Sequence, residues 1–278
     1  MPRRVRHGTI PVMADRKLRS IFDEDAELYD RCRPGYPEAI FDDLGDLAGL
    51  GPGSRVVEIG PGTGQATRRL VDRGAEVVAV ELGANLAAVL RARTAGQPVV
   101  VVEAAFERWA HAAPPASADL VTSFTAWHWL DAAVRGERVA RVLRPGGALA
   151  TVTTEHVLGG TADFFADVQE CYERWDPATP PGLRLTPADE IAPLTDEVDE
   201  SPLFEPAVRR RYRADVTYDR QGYLDLLSTY SGHRALHPDL RRGLYDCIGA
   251  LIDDYGGSVT KAYLYELRVA RTWPAKSH

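Results

Sequence analysis

At residues 56–65 the chain reads VVEIGPGTGQ, a pattern that predicts a buried strand running into a glycine-rich turn that opens a helix. Gly60, Gly62 and Gly64 occupy alternate positions of this turn. A backbone that turns sharply beside a ligand needs glycine, because a Cβ would clash or forbid the required dihedral angles. The free N–H groups at the start of the following helix can face a polar or anionic ligand. We therefore predict a nucleotide-type site at the carboxyl end of a parallel strand.

Strands and helices alternate from this stretch to about residue 154. Strands are predicted at residues 55–59, 75–80, 99–102, 119–123 and 148–153, and helices at 37–50, 65–73, 85–95 and 132–143. Short apolar strands in this rhythm imply a parallel sheet that is covered by helices on both faces. We therefore expect a doubly wound α/β fold, in which ligands bind at the carboxyl ends of the strands.

The alternation stops in the second half of the chain. Residues 176–206 are rich in proline and acidic side chains, which predicts a loop with short helical turns. Further helices are predicted at 162–174, 218–230 and 239–254, with an exposed strand at 208–216 and a final strand at 260–273. We expect a flexible tail at 1–17, a core at 18–154 with 207–217 and 255–278, and a cap over the site at 155–206 and 218–254.

Composition limits the functions that are open to the protein. The chain has 278 residues, of which 45% are hydrophobic and 26% are charged, with a net charge of −7. This acidic balance argues against a nucleic-acid surface, which usually carries a basic stripe, and Arg209–Arg211 are expected to be a solvated strand face. No apolar run approaches the roughly 18 residues of a membrane span. We therefore expect neither nucleic acid nor membrane as a partner.

The cysteines predict a reducing environment. Cys32, Cys171 and Cys247 lie far apart, and their odd number argues against a disulfide framework. No Cys or His spacing indicates zinc, so no metal site is predicted. Arginines near the amino terminus are not followed by an apolar segment, so a secretory signal is not expected. A cytoplasmic location is the resulting prediction.

The glycine spacing narrows the kind of nucleotide. The turn has the pattern G-x-G-x-G, with Glu58 two residues before it, whereas a dinucleotide fingerprint reads G-x-G-x-x-G. The Gly-Lys-Ser/Thr of a phosphate-binding Walker loop is also absent from the sequence. We therefore expect a ligand that has no pyrophosphate.

Residues 20 to about 155 resemble the class I S-adenosylmethionine-dependent methyltransferases. The resemblance rests on motifs in the right order: Val56–Gln65, Glu81 at the end of strand 2, Glu103–Glu107 after strand 3, and Ser123–Asp131 with Arg141–Gly147 around strands 4 and 5. It implies a seven-stranded Rossmann-like sheet, mostly parallel with an antiparallel last strand, and a helical cap insertion. The segment Arg33–Pro37 and the His128–Trp129 pair look most like the branch of trans-aconitate-type small-molecule methyltransferases.

The resemblance and the chemistry of S-adenosylmethionine together suggest the contacts of this cofactor. Glu81 matches the acid that binds both ribose hydroxyls, an arrangement that a carboxylate suits because it accepts two hydrogen bonds. The glycine backbone and Arg33 suit the methionine end, and the faces of Tyr29, Tyr36 and Trp127 could stabilise the sulfonium. The predicted cofactor contacts are Tyr29, Arg33, Glu58, Gly60, Pro61, Gly62, Thr63, Gly64, Glu81, Leu82, Ala105, Phe106, Ser123, Thr125 and Trp127.

A second set of residues is predicted to meet the acceptor. His128 is the candidate base because histidine titrates near neutrality, although a histidine between two tryptophans can also be structural. The predicted substrate contacts are Tyr36, Trp129, His156, Tyr230 and His233. Aromatic walls are expected in the cap from Tyr172, Trp175, Tyr212, Tyr218, Tyr223 and Tyr230.

The favoured function is methyl transfer to an O, N or C atom of a small organic acceptor, within secondary metabolism, by a monomer or homodimer. Two alternatives stay open. The first is a protein that binds the cofactor without methyl transfer, as a regulatory module or a cyclase-like enzyme. The second is a nicotinamide-dependent oxidoreductase, which the glycine spacing disfavours.

Overall fold

A computed structural model describes residues 26–275 of the chain. Its helices are α1 (Ala26–Cys32), α2 (Glu38–Ala48), α3 (Gln65–Asp72), α4 (Ala84–Arg93), α5 (Phe106–Ala112), α6 (Arg135–Val142), α7 (Ala162–Trp175), α8 (Glu197–Glu200), α9 (Arg220–Ser228), α10 (Ser231–Ala235) and α11 (Pro238–Asp254). Its strands are β1 (Arg55–Ile59), β2 (Glu76–Glu81), β3 (Val99–Glu103), β4 (Ala118–Phe124), β5 (Leu143–His156), β6 (Val208–Asp219) and β7 (Ser258–Arg271). The predicted tail at 1–17 lies outside the described residues. The sequence also predicts a short amphipathic helix at 20–28, of which residues 20–25 lie outside the described residues.

The seven strands form one sheet in the order β3-β2-β1-β4-β5-β7-β6. Strands β1 to β5 pair in parallel, and β7 runs antiparallel to both β5 and β6. The expected Rossmann-like sheet with an antiparallel last strand is thus confirmed. The strand order reverses between β1 and β4, which is where an open α/β sheet leaves a crevice for ligands.

Helices cover both faces of the sheet because successive side chains of a buried strand point to opposite faces. On β1, Val56 packs in the cluster that contains Phe41 of α2, and Val57 packs in the cluster that contains Val139 of α6. Burial of apolar side chains on both sides contributes about 25 cal/mol per Å² of buried area. The glycine turn that follows β1 is therefore attached to a rigid support.

Local details differ from the sequence prediction at several helix ends. The two prolines and the glycine of residues 33–37 predict a turn that starts near Tyr29, but Tyr29–Cys32 belong to α1 and the chain leaves the helix only at Arg33. Gly49, with φ of 74°, ends α2 in the left-handed region, two residues before the glycine that follows the helix predicted at 37–50. Helix α5 was not predicted, because seven residues give too short a periodic pattern.

The arginines of β6 are exposed or half-buried, as expected for a solvated strand face, and two of them also form ion pairs. Arg209 Nη2 lies 2.5 Å from Asp199 Oδ1, and Arg211 Nε donates to Glu266 Oε2 at 2.7 Å. Glu266 lies buried on β7, so these arginines compensate its charge and attach the loop before β6 to the sheet. Arg209 and Arg211 thus form ion pairs within the fold in addition to facing solvent.

A helical layer covers one end of the sheet and forms a hydrophobic cluster of its own. Phe164 and Phe165 of α7 pack there with Leu226 of α9 and Ile248 of α11. A disulfide between Cys171 and Cys247 joins α7 to α11, and Cys32 is the free cysteine. The expectation that the cysteines form no disulfide was therefore wrong, because two of them meet only after α7 and α11 pack together.

Removing this disulfide should loosen the helical layer. We expect the double replacement Cys171→Ser and Cys247→Ser to lower the free energy of unfolding by about 2–4 kcal/mol, because the bond closes a long loop in the unfolded chain. Denaturant unfolding followed by circular dichroism measures the change. Cys32→Ser is the matched control and should leave the stability of the oxidised protein unaltered. Equal stability of the double variant and the wild type would show that the bond contributes nothing.

In the part of the chain that the structure describes, no helix is long and apolar enough to cross a membrane.

Candidate functional site

The glycine turn after β1 has the geometry that its sequence predicts. Gly60, Gly62 and Gly64 have φ angles of 62°, 59° and 97°, a region that glycine reaches without steric cost. A Cβ on Gly60 would lie 2.6 Å from the Cβ of Ala126, so no other residue fits without movement. The Gly60 N–H donates to the Val80 carbonyl at 3.0 Å, which fastens the turn to the end of β2.

Glu81, the last residue of β2, holds the other side of this turn. Its Oε2 accepts a hydrogen bond from the Gly62 N–H at 2.9 Å, and its Oε1 accepts one from the Gly83 N–H at 2.8 Å. The side chain is only 7% exposed. A carboxylate oxygen can accept more than one hydrogen bond, so Glu81 retains capacity for two hydroxyl donors of a ligand. The carboxylate thus stabilises the turn and can also accept hydrogen bonds from a ligand.

A first cavity of about 240 Å³ lies over the carboxyl ends of β1, β2 and β4. One wall is apolar and contains Leu82, Leu86, Ala105 and Phe106, and Glu81 supplies a charge. The sequence-predicted residues that line this cavity are Tyr29, Arg33, Gly60, Gly62, Glu81, Leu82, Ala105, Phe106, Thr125, His128 and Trp129. An apolar cleft with few polar groups is the usual form of a small-molecule site.

A second cavity of about 320 Å³ lies next to the first, between the sheet and the helical layer. The predicted residues that line it are Tyr29, Arg33, Tyr36, Thr125, His156 and Tyr230. Three of them, Tyr29, Arg33 and Thr125, line both cavities and mark the place where the two adjoin. The site can therefore hold two molecules side by side.

Thr125 shapes this junction. It follows β4 with a φ of 55°, a left-handed conformation that is uncommon for a residue with a Cβ. Its Oγ1 lies 3.2 Å from the hydroxyl of Tyr36 and 3.1 Å from Oγ1 of Thr154. Strained backbone of this kind is found where a binding site imposes a geometry that the surrounding fold can maintain.

Arg33 lies between two tyrosines that face the cavities. Its guanidinium carbon is 5.0 Å from the ring centre of Tyr29 and 4.6 Å from that of Tyr230, and its Nη2 donates to the Thr229 carbonyl at 3.0 Å. On the far side of Tyr230, Lys261 Nζ donates to the phenol oxygen at 3.0 Å. The second cavity therefore has two cationic side chains around one phenol.

Glu58 lies beneath the glycine turn and lines neither cavity. The side chain is 1% exposed, its Oε2 accepts from the Thr67 hydroxyl at 2.6 Å, and its Oε1 has no hydrogen-bond partner among the described residues. Burial, with a smaller contribution from the nearby Glu81, raises the pKa of Glu58 to about 7. A protonated carboxyl is neutral and so costs less to bury than a carboxylate. We therefore place Glu58 among the supports of the turn.

The raised pKa of Glu58 predicts a stability change with pH. The folded protein binds this proton more tightly than the unfolded chain, so its stability falls as the pH rises from about 4.5 to about 7. The change from this one group is on the order of 3 kcal/mol. Glu58→Gln should remove it, since a neutral amide still accepts from Thr67, and chemical denaturation across this pH range measures the effect. Glu76→Gln, at the exposed start of β2, is the control, and identical pH profiles for wild type and Glu58→Gln would contradict the assignment.

Several predicted contacts lie away from both cavities. Trp127 is buried, its Nε1 donates to Asp196 Oδ2 at 2.7 Å, and the guanidinium of Arg135 lies 4.6 Å from its ring centre. It anchors the loop before α8, so we withdraw it as a candidate for the sulfonium. The other predicted residues that line neither cavity are Glu58, Pro61, Thr63, Gly64, Ser123 and His233.

The three predicted histidines occupy different places. His128 is exposed on the wall of the first cavity with its ring 4.8 Å from that of Trp129, whereas His156 lines the second cavity and packs edge-on against Phe165 at 4.5 Å. His233 is half-buried in the helical layer, where its Nε2 lies 3.3 Å from the Tyr172 hydroxyl. Burial lowers the pKa of His233 to about 4, so this histidine is neutral at physiological pH.

Sequence reasoning missed part of the second cavity. Lys261, Tyr263 and Tyr265 on β7 line it, together with Thr154 and Glu155 on β5. The alternation of β7 already places these three on one face, but only the pairing of His156 with Tyr263 shows that this face meets the site. Of the aromatic residues expected as cap walls, Tyr230 is the one that lines a cavity.

Comparisons with known proteins agree with this geometry. The family described as Methyltransferase domain matches residues 57–151. An uncharacterised methyltransferase of Mycobacterium tuberculosis is 43% identical over 124 residues, which is 45% of this chain and 48% of the relative. An uncharacterised methyltransferase of Geobacillus kaustophilus is 30% identical over 148 residues, which is 50% of this chain and 67% of the relative. The chain thus spans about half the length of the mycobacterial relative that it matches.

The same fold occurs in a solved structure. That protein is a proposed type II methyltransferase from Anaeromyxobacter dehalogenans, which matches 87% of this chain and 99% of its own length with a TM-score of 0.60 and 24% identity. This likeness shows a shared fold. Membership of the methyltransferase family rests on the matched family and on the relative from Geobacillus kaustophilus. The chain belongs to the class I S-adenosylmethionine-dependent methyltransferase family.

Proposed function

We propose that this protein transfers the methyl group of S-adenosylmethionine to an O, N or C atom of a small organic acceptor. The observation that carries the proposal is the pair of adjoining cavities that share Tyr29, Arg33 and Thr125. Methyl transfer needs two molecules in contact, and much of the rate gain comes from holding them in line at close range. The first cavity would hold the cofactor and the second would hold the acceptor.

The residues of the first cavity suit the cofactor. Glu81 would accept hydrogen bonds from the two ribose hydroxyls, and Leu82, Ala105 and Phe106 would form the apolar walls around the adenine. Tyr29 faces the Gly62 turn, with a ring carbon 3.5 Å from where a Cβ on that glycine would lie. A Cβ would thus narrow the space that the methionine end would occupy.

Buried polar atoms near the glycine turn also support a cofactor site there. Thr63 Oγ1, Gln65 Nε2 and Ser123 Oγ are buried and have no hydrogen-bond partner among the described residues. Buried polar atoms normally find a partner in protein, water or ligand. Pro61, Thr63, Gly64 and Ser123 therefore stay candidates that support the cofactor site from just behind its wall, and Glu58 acts through the same turn.

The bound sulfonium would supply a methyl group that is already activated. The task of this chain is then to orient the acceptor and exclude water. Arg33 and Tyr29 would define the boundary between the two ligands, and Thr125 with Tyr36 would fix the neighbouring wall. His128 stays a candidate base from the side of the first cavity, with Trp129 as the wall beside it.

The acceptor would be a small organic molecule, since the second cavity encloses about 320 Å³. The finer assignment, to the trans-aconitate-type branch, rests on the Arg33–Pro37 segment, of which Pro34 and Tyr36 line this cavity.

A role in secondary metabolism, a monomer or homodimer, and the absence of nucleic-acid and membrane partners stay predictions. A cytoplasmic location also stays a prediction, and the Cys171–Cys247 disulfide counts against the reducing environment from which it was inferred.

Calorimetry and product analysis test this proposal. We expect the protein to bind S-adenosylmethionine and to form S-adenosylhomocysteine in the presence of some member of a panel of small hydroxyl, amine and carboxylate compounds. Tight cofactor binding without turnover across the panel would favour the alternative of a binding module or a cyclase-like enzyme. Binding of NAD and not of S-adenosylmethionine would overturn the proposal.

A further inference from the structure

Lys261 is a buried cation without a carboxylate partner among the described residues. The chain has three lysines, and this one is 5% exposed on β7 with its ammonium against the faces of Tyr230, at 5.3 Å, and Tyr263, at 5.1 Å. Its hydrogen bond goes to the Tyr230 hydroxyl at 3.0 Å. Burial of an ammonium is costly unless a negative charge compensates it. The phenol oxygen of Tyr230 is placed to carry that charge.

We propose that Tyr230, held between Lys261 and Arg33 on the wall of the second cavity, is the general base that takes the proton from the methyl acceptor. The proposal rests on the function proposed above, because it assigns the second cavity to the acceptor. It places the general base in the second cavity, whereas His128 lines the first cavity.

The surroundings of Tyr230 favour its phenolate form over those of Tyr218, Tyr223 and Tyr263. Burial alone would raise the pKa of Tyr230, but the positive charges of Lys261 and Arg33 outweigh burial and lower this pKa. Burial raises the pKa of the neighbouring Tyr218, Tyr223 and Tyr263. Where one fold pushes the pKa values of like groups apart, the group that ionises first is the candidate base.

The charged and titratable groups that face Tyr230 come from several elements. They are Lys261 and Tyr263 of β7, Arg33 after α1, Tyr218 of β6, Tyr223 of α9, Tyr172 of α7, His233 of α10, and Glu155 and His156 of β5. Glu155 is the carboxylate of this set, and His233 stays neutral because its pKa is lowered. The net positive charge therefore comes from Lys261 and Arg33.

Position separates Tyr230 from His128 as a base. Tyr230 lines the second cavity and stacks on Arg33, which lines both cavities. Only the guanidinium of Arg33 therefore separates the Tyr230 ring from the place where the two cavities adjoin. His128 lines only the first cavity.

The acceptor would lose its proton to the Tyr230 oxygen while its electron pair bonds to the methyl carbon. The sulfur of the cofactor would leave with the pair of the broken S–C bond, and Tyr230 would return its proton to water.

The proposal selects among acceptors. An ionised carboxylate has no proton to give, so a base at Tyr230 indicates a hydroxyl, phenol or amine group as the site of methylation. The surrounding phenols, Tyr36, Tyr263 and Tyr265, can bind the rest of such a molecule by hydrogen bonds and ring contacts.

A spectroscopic titration of the full chain tests the proposal without an acceptor. Ultraviolet absorbance reports tyrosinate, and we expect one of the 11 tyrosines to ionise at lower pH than the others in the wild type. This early step should be absent in Tyr230→Phe and shifted to higher pH in Lys261→Met, with folding checked by circular dichroism. Tyr255→Phe, whose hydroxyl donates to Asp167 on the outer side of the helical layer, is the matched control and should retain the early step. An early step that persists unchanged in Tyr230→Phe would overturn the proposal.

Kinetics and binding then separate this proposal from the proposed function. With an acceptor in hand, the acid limb of the pH–rate profile should vanish in Tyr230→Phe, with a loss of about a hundredfold in rate at the optimum, and persist in His128→Asn. The reverse result would assign the base to His128 and overturn the proposal. Calorimetry with S-adenosylmethionine accompanies each variant. Failure of the wild type to bind it would sink the proposed function, whatever the titration shows.

Discussion

Replacing Glu81 with alanine should weaken S-adenosylmethionine binding at least tenfold. The variant would lose a charged acceptor for two ribose hydroxyls, and a hydrogen bond to a charged group contributes about 1.5–3 kcal/mol. It would also leave the N–H groups of Gly62 and Gly83 without their present acceptor, so the glycine turn would lose its brace. Both losses weaken the binding of S-adenosylmethionine. We therefore expect a larger change in cofactor affinity here than for any other variant proposed. Isothermal calorimetry at constant pH and salt measures it.

Glu103→Ala is the matched control for this experiment. Glu103 ends the neighbouring strand β3 in register with Glu81, but it is exposed and lines neither cavity. We expect cofactor affinity within about twofold of the wild type for this control, as is usual for a surface change. Unchanged affinity in Glu81→Ala would mean that the ribose is held elsewhere.

Asp196→Ala should lower the free energy of unfolding by roughly 3 kcal/mol. Arg268 on β7 is 3% exposed, and both of its terminal nitrogens donate to the Asp196 carboxylate, at 2.5 Å and 3.1 Å. The same carboxylate accepts from Trp127 Nε1 at 2.7 Å and from the Val198 N–H at 3.0 Å, where it caps α8. Its removal would leave the buried guanidinium with the Asp199 carboxylate and the Thr151 hydroxyl as its remaining acceptors among the described residues. Urea unfolding followed by tryptophan fluorescence measures the loss.

Two further variants show whether charge or shape causes the effect. Asp196→Asn keeps the shape and loses the charge, so it should recover only part of the stability. Asp189→Ala removes an exposed acid from the same loop and should change the free energy of unfolding by less than about 0.5 kcal/mol. Equal stability of Asp196→Ala and Asp189→Ala would show that this ion-pair network is energetically neutral.

The first cavity was largely predictable because its residues follow the strand ends closely in sequence. Gly60 and Gly62 follow β1, Glu81 ends β2, Phe106 follows β3, and Thr125 follows β4. The carboxyl ends of parallel strands lie at one edge of the sheet, so an alternating pattern is enough to bring these residues together. Trp127 shows the limit of this reasoning, since it lies next to lining residues in sequence but packs against Arg135 and Asp196.

The second cavity could not be predicted in this way. Lys261 belongs to β7, and Tyr230, to which it donates a hydrogen bond, lies between α9 and α10. Arg33 stacks on Tyr230 and donates to the carbonyl of Thr229, which is 196 residues away in the sequence. The disulfide partners Cys171 and Cys247 are likewise 76 residues apart and meet only through the packing of α7 on α11. Such pairs depend on how helices pack over the sheet, and the periodicity of a single segment carries no information about its distant neighbours.

The sequence by itself determined the strand–turn–helix at residues 56–65, the parallel sheet and the acid at Glu81, because strand alternation and glycine conformation are local properties of the chain. The tertiary structure decided which side chains face the acceptor and which ones only hold the fold. Antiparallel pairing of β7 with β5 brings Lys261, Tyr263 and His156 to one wall, and the helical layer adds Tyr230 opposite Arg33. The physical reason is that the electrostatic character of a buried group is set by its neighbours in space, here two cations around one phenol.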